Sequence, residues 1–135
     1  MTGLVLKLVF ESHLKNIAEV ESYVTQIVRE YNIGKELFGN ILITLTEAVS
    51  NAIIHGNHAK KNKKVYIFTQ LSQAKICFCV KDEGNGFDPN TLPDPTAPEN
   101  LMALGGRGVF LMRQLSDNMS FDDCGRSVKL EFNLN

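Results

Sequence analysis

Glu47-Ala48-Val49-Ser50-Asn51-Ala52-Ile53-Ile54-His55 is the stretch on which the fold turns. Glu47 and Asn51 are four residues apart, so on a helix they stack on one face. His55 follows one turn later, drifting slightly around the axis. Leu37, Ile41, Leu45, Ala48, Val49 and Ala52 recur at helical spacing, which predicts a helix over 35–55 with these polar residues set beside its apolar stripe. A purely structural helix has little reason to place Glu and Asn there. A carboxylate in that position can serve as a general base, and an amide oxygen can ligate a hard cation such as Mg2+. A solvent-facing pair joined by an i,i+4 hydrogen bond explains the same residues, and this stretch alone does not separate the two readings.

Upstream, residues 4–10 read as a strand around Lys7, and Ser12 reads as the cap of a following helix. Ile17, Val20, Val24, Ile27, Val28 and Tyr31 give that helix its apolar face. Asn32-Ile33-Gly34 ends it, with Gly34 suited to a left-handed position. His13, at the helix start, reads as an ordinary surface residue. Downstream, Gly56-Asn57 stops the long helix. Two β runs, 65–71 and 75–81, are linked by Ser72-Gln73-Ala74 as a hairpin. A helix is predicted over 107–115. A last hairpin, 119–121 with 128–134, surrounds Asp123-Cys124-Gly125-Arg126. Val128, Leu130, Phe132 and Leu134 alternate with Lys129, Glu131 and Asn133, so one face of this strand is buried and the other solvated. The elements add up to an α+β fold, a two-layer sandwich with helices on one face of a mixed, mostly antiparallel sheet.

Two further segments carry possible chemistry. Asp82-Glu83-Gly84-Asn85-Gly86 lies at a strand end; its glycines let the backbone turn sharply and admit a flat ligand, and its Asp can accept from an exocyclic amine. Taken alone it reads better as a plain turn. Gly105-Gly106-Arg107-Gly108 leads into the third helix and offers backbone N–H groups and the positive dipole end to phosphates; a hinge is the plainer reading. No Gly-Lys-Ser/Thr follows, so it is not a P-loop. Between them, 88–106 holds all four prolines, Pro89, Pro93, Pro95 and Pro98, and reads as a long irregular, mobile segment.

Size and composition fit one compact domain spanning 1–135, large enough to bury a core. A formal net charge of -1 excludes a broad basic field for nucleic acid. The local run Lys60, Lys61, Lys63, Lys64 reads first as a solvated loop and second as a docking edge for a partner. Cys77, Cys79 and Cys124 form an odd, sparse set without metal-ligand spacing, which suits a reduced intracellular protein. Cys77 and Cys79 share one strand face and read as packing residues. No signal peptide and no membrane-length apolar stretch is read from the sequence, so a cytoplasmic location is expected.

In order and spacing, the three segments together resemble the GHKL ATPases, and within them the anti-sigma-factor serine/threonine kinases, over nearly the whole chain. Glu47, Asn51 and His55 resemble the N box of that family, Asp82-x-Gly84-x-Gly86 its first glycine box, and Gly106-x-Gly108 its second, with 88–106 as the ATP lid. Asn51-Ala52-x-x-His55-Gly56-Asn57 and Leu115-Ser116-Asp117 are similar as well. The resemblance implies a Bergerat fold, ATP and Mg2+ as cofactors, and a kinase that binds a sigma factor or similar regulator and phosphorylates a small antagonist protein. It implies that Glu47 activates a hydroxyl nucleophile, Asn51 holds Mg2+ and Asp82 reads the adenine amine. Gly84 and Gly86 would make room for the base, Gly106 and Gly108 would wrap the phosphates, and Arg107 would supply charge. Many relatives carry Thr in the last strand near the adenine; Ser127 is taken as its counterpart. No residue of the lid is matched. A homodimer is implied too, with the strand 4–10 and its following helix as candidate contacts. The competing readings are a nucleotide-gated binding module without catalysis and a histidine-kinase-type ATPase domain; His13 is the one candidate phosphoacceptor the latter would have here.

Overall fold

The structure, a computed structural model, describes residues 4–84, 106–122 and 125–134. Gly86 and nearly all of the expected lid lie outside the described residues. Among the described residues there are five strands and three α-helices: β1 (Leu4–Glu11), α1 (Ile17–Glu30), α2 (Lys35–Asn51), β2 (Lys64–Leu71), β3 (Lys75–Lys81), α3 (Gly106–Leu115), β4 (Asn118–Asp122) and β5 (Ser127–Asn133). The sheet order is β1-β2-β3-β5-β4 and every pairing in it is antiparallel. The expected sheet therefore holds, with no parallel pair among the described strands.

The layers follow from the period-two pattern of the strands. Val65, Ile67, Ile76, Phe78, Val80, Val128, Leu130 and Phe132 point to the helices and are buried. Phe78 and Phe132 meet edge to face, their centroids 6.2 Å apart. The helices answer at their own period. α1 buries Val20, Val24 and Ile27, and α2 buries Ile41, Leu45, Ala48 and Val49. Each such Val, Ile or Leu side chain contributes about 1.5–3 kcal/mol by leaving water. Thr69 is 1% exposed on this inner face, and its hydroxyl bonds that of Tyr23, 2.5 Å away.

Three local expectations change. His13, not Ser12, caps the short 3-10 turn Leu14–Asn16 that precedes α1, its Nδ1 accepting from Lys15 N at 3.0 Å. At the end of α1 the left-handed residue is Asn32 (φ 55), with Ile33 N donating to Val28 O at 3.0 Å in a Schellman closure. Gly34, with φ -65, instead begins α2. Finally, Lys35–Gly56, 22 residues long, holds an 18-residue stretch with a mean hydropathy of 1.5, the length and composition of a membrane span, contrary to the sequence reading. Its apolar stripe is spent on the sheet and on α1 and α3, which makes it the core helix of the sandwich.

Candidate nucleotide site

α2 delivers Glu47 and Asn51 half-buried on one face, and α3 crosses that face. The crossing is close because residue 108 is glycine. A Cβ there would lie 3.0 Å from Glu47 Oε2 and 3.0 Å from Asn51 Nδ2. Gly108 is buried in the first turn of α3, so backbone N–H groups at the positive end of a helix dipole adjoin a carboxylate and an amide. Gly106 opens this helix and Arg107 beside it is exposed. The sequence-derived pair and the second glycine box are thus brought together.

Beyond Asn51 the helix widens into a π turn, Ala52–Gly56, closed by Asn57 N donating to Ala52 O at 2.8 Å. Such turns hold one residue more than an α turn and recur at functional sites. His55 sits within it, half-buried. Burial first, and the charge of His58 second, lower its pKa from the usual 6.5 and favour the neutral ring. At the end of the turn, Gly56 leaves the space that the Asp82 carboxylate fills; a Cβ on Gly56 would fall on that carboxylate. Gly84 is pressed on the carbonyl of Gly56, and a Cβ on Gly84 would overlap it. Asp82 is 8% exposed, and its Oδ1 accepts from Gly84 N at 2.8 Å. Asp82 and Gly84 are therefore locked to the C-terminal end of the helix that carries Glu47 and Asn51.

The last hairpin closes the other side of this turn. Gly125 turns with φ 82, and Arg126 O then accepts from Asp82 N at 2.9 Å while Arg126 Nε donates to Gly84 O at 2.8 Å. Ser127, expected at the adenine, lies elsewhere. Its Oγ pairs with Cys79 Sγ at 2.9 Å, on the sheet face opposite Val128 and the helices. Strand alternation explains the correction: adjacent residues face opposite sides, so a one-residue offset moves a side chain out of the site. Arg126, not Ser127, is the hairpin residue at the glycine box. Gly56 and Asn57, quoted in the sequence but given no role, also belong here; only their long-range contacts reveal it.

The geometry fits ATP. The half-buried Glu47–Asn51 pair beside a helix N-terminus suits a phosphate end with its cation, and a buried carboxylate beside two glycines suits a flat base that carries an amine. Among the described residues no three His, Cys, Asp or Glu side chains converge on a metal site.

Comparison with known proteins gives the chain a family. The family described as histidine kinase-like ATPase domain matches residues 10–132. This chain belongs to that family. As a histidine kinase-like ATPase domain it is similar to the serine-protein kinase RsbW of Staphylococcus aureus, at 33% identity over 96 residues, 65% of this chain and 60% of the relative. It is similar to the anti-sigma F factor of Bacillus subtilis, at 33% over 97 residues, 67% of this chain and 65% of that protein. It is similar also to the anti-sigma F factor of Oceanobacillus iheyensis, at 32% over 118 residues, 84% of this chain and 80% of that protein. The chain spans about 60% of the length of the Staphylococcus aureus relative. The crystal structure of the RsbU and RsbW domains of Rv1364c from Mycobacterium tuberculosis superposes with a TM-score of 0.67 and 13% identity, covering 96% of this chain and 32% of that one, and shares the fold. Membership in a kinase-like ATPase family implies use of a nucleotide.

Proposed function

We propose that this chain is an ATP-dependent protein serine/threonine kinase that acts as a cytoplasmic anti-sigma-type regulator. In this reading it binds a sigma factor or similar protein and phosphorylates a small antagonist protein on a hydroxyl. The observation that carries it is Gly108 seated on Glu47 and Asn51, which sets a candidate base, a cation ligand and a phosphate-binding helix end against one another. The names of the relatives, serine-protein kinase and anti-sigma F factor, support the partner classes.

ATP, when bound, supplies the phosphoryl group. Asp82 accepts from the adenine amine, Gly84 packs on Gly56 and keeps that carboxylate in its seat, and Gly86 leaves room for the ring. Gly106 and Gly108 present backbone N–H groups to the phosphates, with Arg107 as a charge partner at the rim. Asn51 would hold Mg2+ through its amide oxygen, and the ion would supply charge neutralisation at the phosphates. Glu47 accepts the proton of the attacking hydroxyl. Most of the catalysis is then positioning and charge neutralisation. Ser127 has no part in this scheme.

The test pairs binding with transfer. Glu47→Gln is to keep ATP affinity and lower phosphoryl transfer to the antagonist by roughly 10²–10⁴-fold, the scale of a general base. Transfer at the parent rate refutes the role of Glu47. ATP binding without transfer by the parent, to any antagonist encoded beside it, favours the nucleotide-gated binding module.

A further inference from the structure

Asn57 takes no part in the chemistry just described, yet it is 0% exposed and its whole amide is engaged. Nδ2 donates to Ser12 Oγ at 2.6 Å and to Lys64 O at 2.9 Å, and Oδ1 accepts from Glu83 N at 2.8 Å. These partners belong to three segments: the end of β1, the start of β2 and the turn after β3. Ser12 is itself 0% exposed and donates its N–H to Lys63 O at 3.0 Å.

Two of these bonds duplicate what the sheet already does, and the third does not. β1 and β2 are paired as far as Glu11 and Lys64 without help. The β2–β3 ladder stops at Tyr66 and Lys81, so the main chain of Glu83 is past the last strand partner on that side. Asn57 supplies the missing acceptor there. The Glu83 carboxylate takes up Lys64 N at 2.5 Å, which adds a second tie from the same turn to β2. Glu83 lies between Asp82 and Gly84, and the residue before Asn57 is Gly56, on which both of those pack. One buried amide therefore fixes the Asp82–Gly84 turn to the C-terminal end of the helix that bears Glu47 and Asn51.

We infer that Asn57 is a positioning residue for base recognition: it holds Asp82 at the place where an adenine amine is read, and so sets selectivity for ATP over GTP. This rests on the nucleotide reading above. Loss of Asn57 frees Glu83 N and lets the turn relax away from Gly56. Contacts to the phosphates, made from α2 and α3, are left in place.

The experiment measures affinities for Mg-ATP, Mg-GTP and tripolyphosphate by calorimetry, with thermal melts, in the parent, Asn57→Ala, Asn57→Asp and Ser12→Ala. Asn57→Ala is to weaken ATP by about tenfold or more, the scale of a lost buried hydrogen bond, while GTP and tripolyphosphate change little and the ATP/GTP ratio falls towards one. Ser12→Ala removes a partner of Asn57 but keeps the Glu83 bond; it is to lower the melting temperature and keep the ratio. If Asn57→Ala does not fold, Asn57→Asp decides: it keeps an acceptor for Glu83 N and is to keep the ratio at reduced stability. An unchanged ratio in Asn57→Ala overturns the proposal. So does a parallel loss of all three ligands, or loss of the ratio in Asn57→Asp. A parent with no preference for ATP removes the adenine reading itself, and this proposal with it.

Discussion

Replacing Gly108 by alanine sets two effects against each other. Alanine is the better helix former by about 0.8–1 kcal/mol in a helix interior, and somewhat less in a first turn. The added methyl, however, lies 3.0 Å from Glu47 Oε2 and 3.0 Å from Asn51 Nδ2, where ordinary contact begins at 3.4 Å. Both obstacles are ends of side chains, so they yield by a few tenths of an ångström. Driving a side chain about 30° off its rotamer costs of order 0.5–1.5 kcal/mol, or about 1–3 kcal/mol for the two. The net expected change in stability is small, from near zero to about 2 kcal/mol unfavourable. The effect on chemistry is larger, because a misplacement approaching 1 Å at reacting groups costs up to about 10²-fold. Because the shift is only a few tenths of an ångström, Gly108→Ala is expected to fold and to lose roughly threefold to tenfold in phosphoryl transfer. Urea unfolding and radiolabel transfer on one preparation check it. Gly39→Ala is the control: Gly39 lies within α2 with nothing within 4 Å of an added Cβ, and the change is to stabilise by up to about 1 kcal/mol without altering transfer. Parent-like transfer by Gly108→Ala refutes the view that the α2–α3 crossing forms the reactive centre.

Asn51→Ala is expected to lower ATP affinity in Mg2+ and transfer together, with a much smaller effect on binding in EDTA; calorimetry with and without the ion checks it. Asp82→Asn presents a donor where an acceptor is needed and is expected to cost about 1–3 kcal/mol of ATP affinity, most of its preference over GTP included; equal affinities in parent and variant refute the assignment. His55 gives a pH signature. Burial, then His58, lowers its pKa in the folded chain from 6.5, so around that pH the unfolded chain binds more protons and unfolding free energy rises with pH. The contribution is complete above about 6.5 and lost as the pH falls below it towards the folded pKa; urea midpoints across this range are to fall on the acid side, and His55→Gln is to flatten the slope.

What the sequence disclosed is local and periodic. The helix with Glu47 and Asn51, the β2–β3 hairpin and the alternation of β5 are each written within one element, and all are found. What it concealed depends on which face a residue takes or on contact at a distance. Arg126 and Ser127 are neighbours of similar plausibility, and only the pairing of Val80 with Val128 shows which of them faces the helices. Ser12 has the composition of a helix cap, but Asn57, 45 positions on, claims its hydroxyl. The same holds for Gly56 and Gly84. A glycine can be read as a turn or a helix end, but that two of them touch through their main chains is a property of the assembled sandwich.

The π turn has a consequence for how this domain can change over generations. Because the helix holds one residue more than α geometry needs between Ala52 and Asn57, loss of a single codon there would let it close regularly. Gly56 would then swing by about 100° around the axis and the Asp82 carboxylate would lose its seat, while Glu47 and Asn51 kept theirs. Length is as much a requirement of this turn as the glycine at 56, because both decide where Asp82 sits. An in-frame deletion within the turn is expected to strip the domain of its base preference while leaving Glu47 and Asn51 in place.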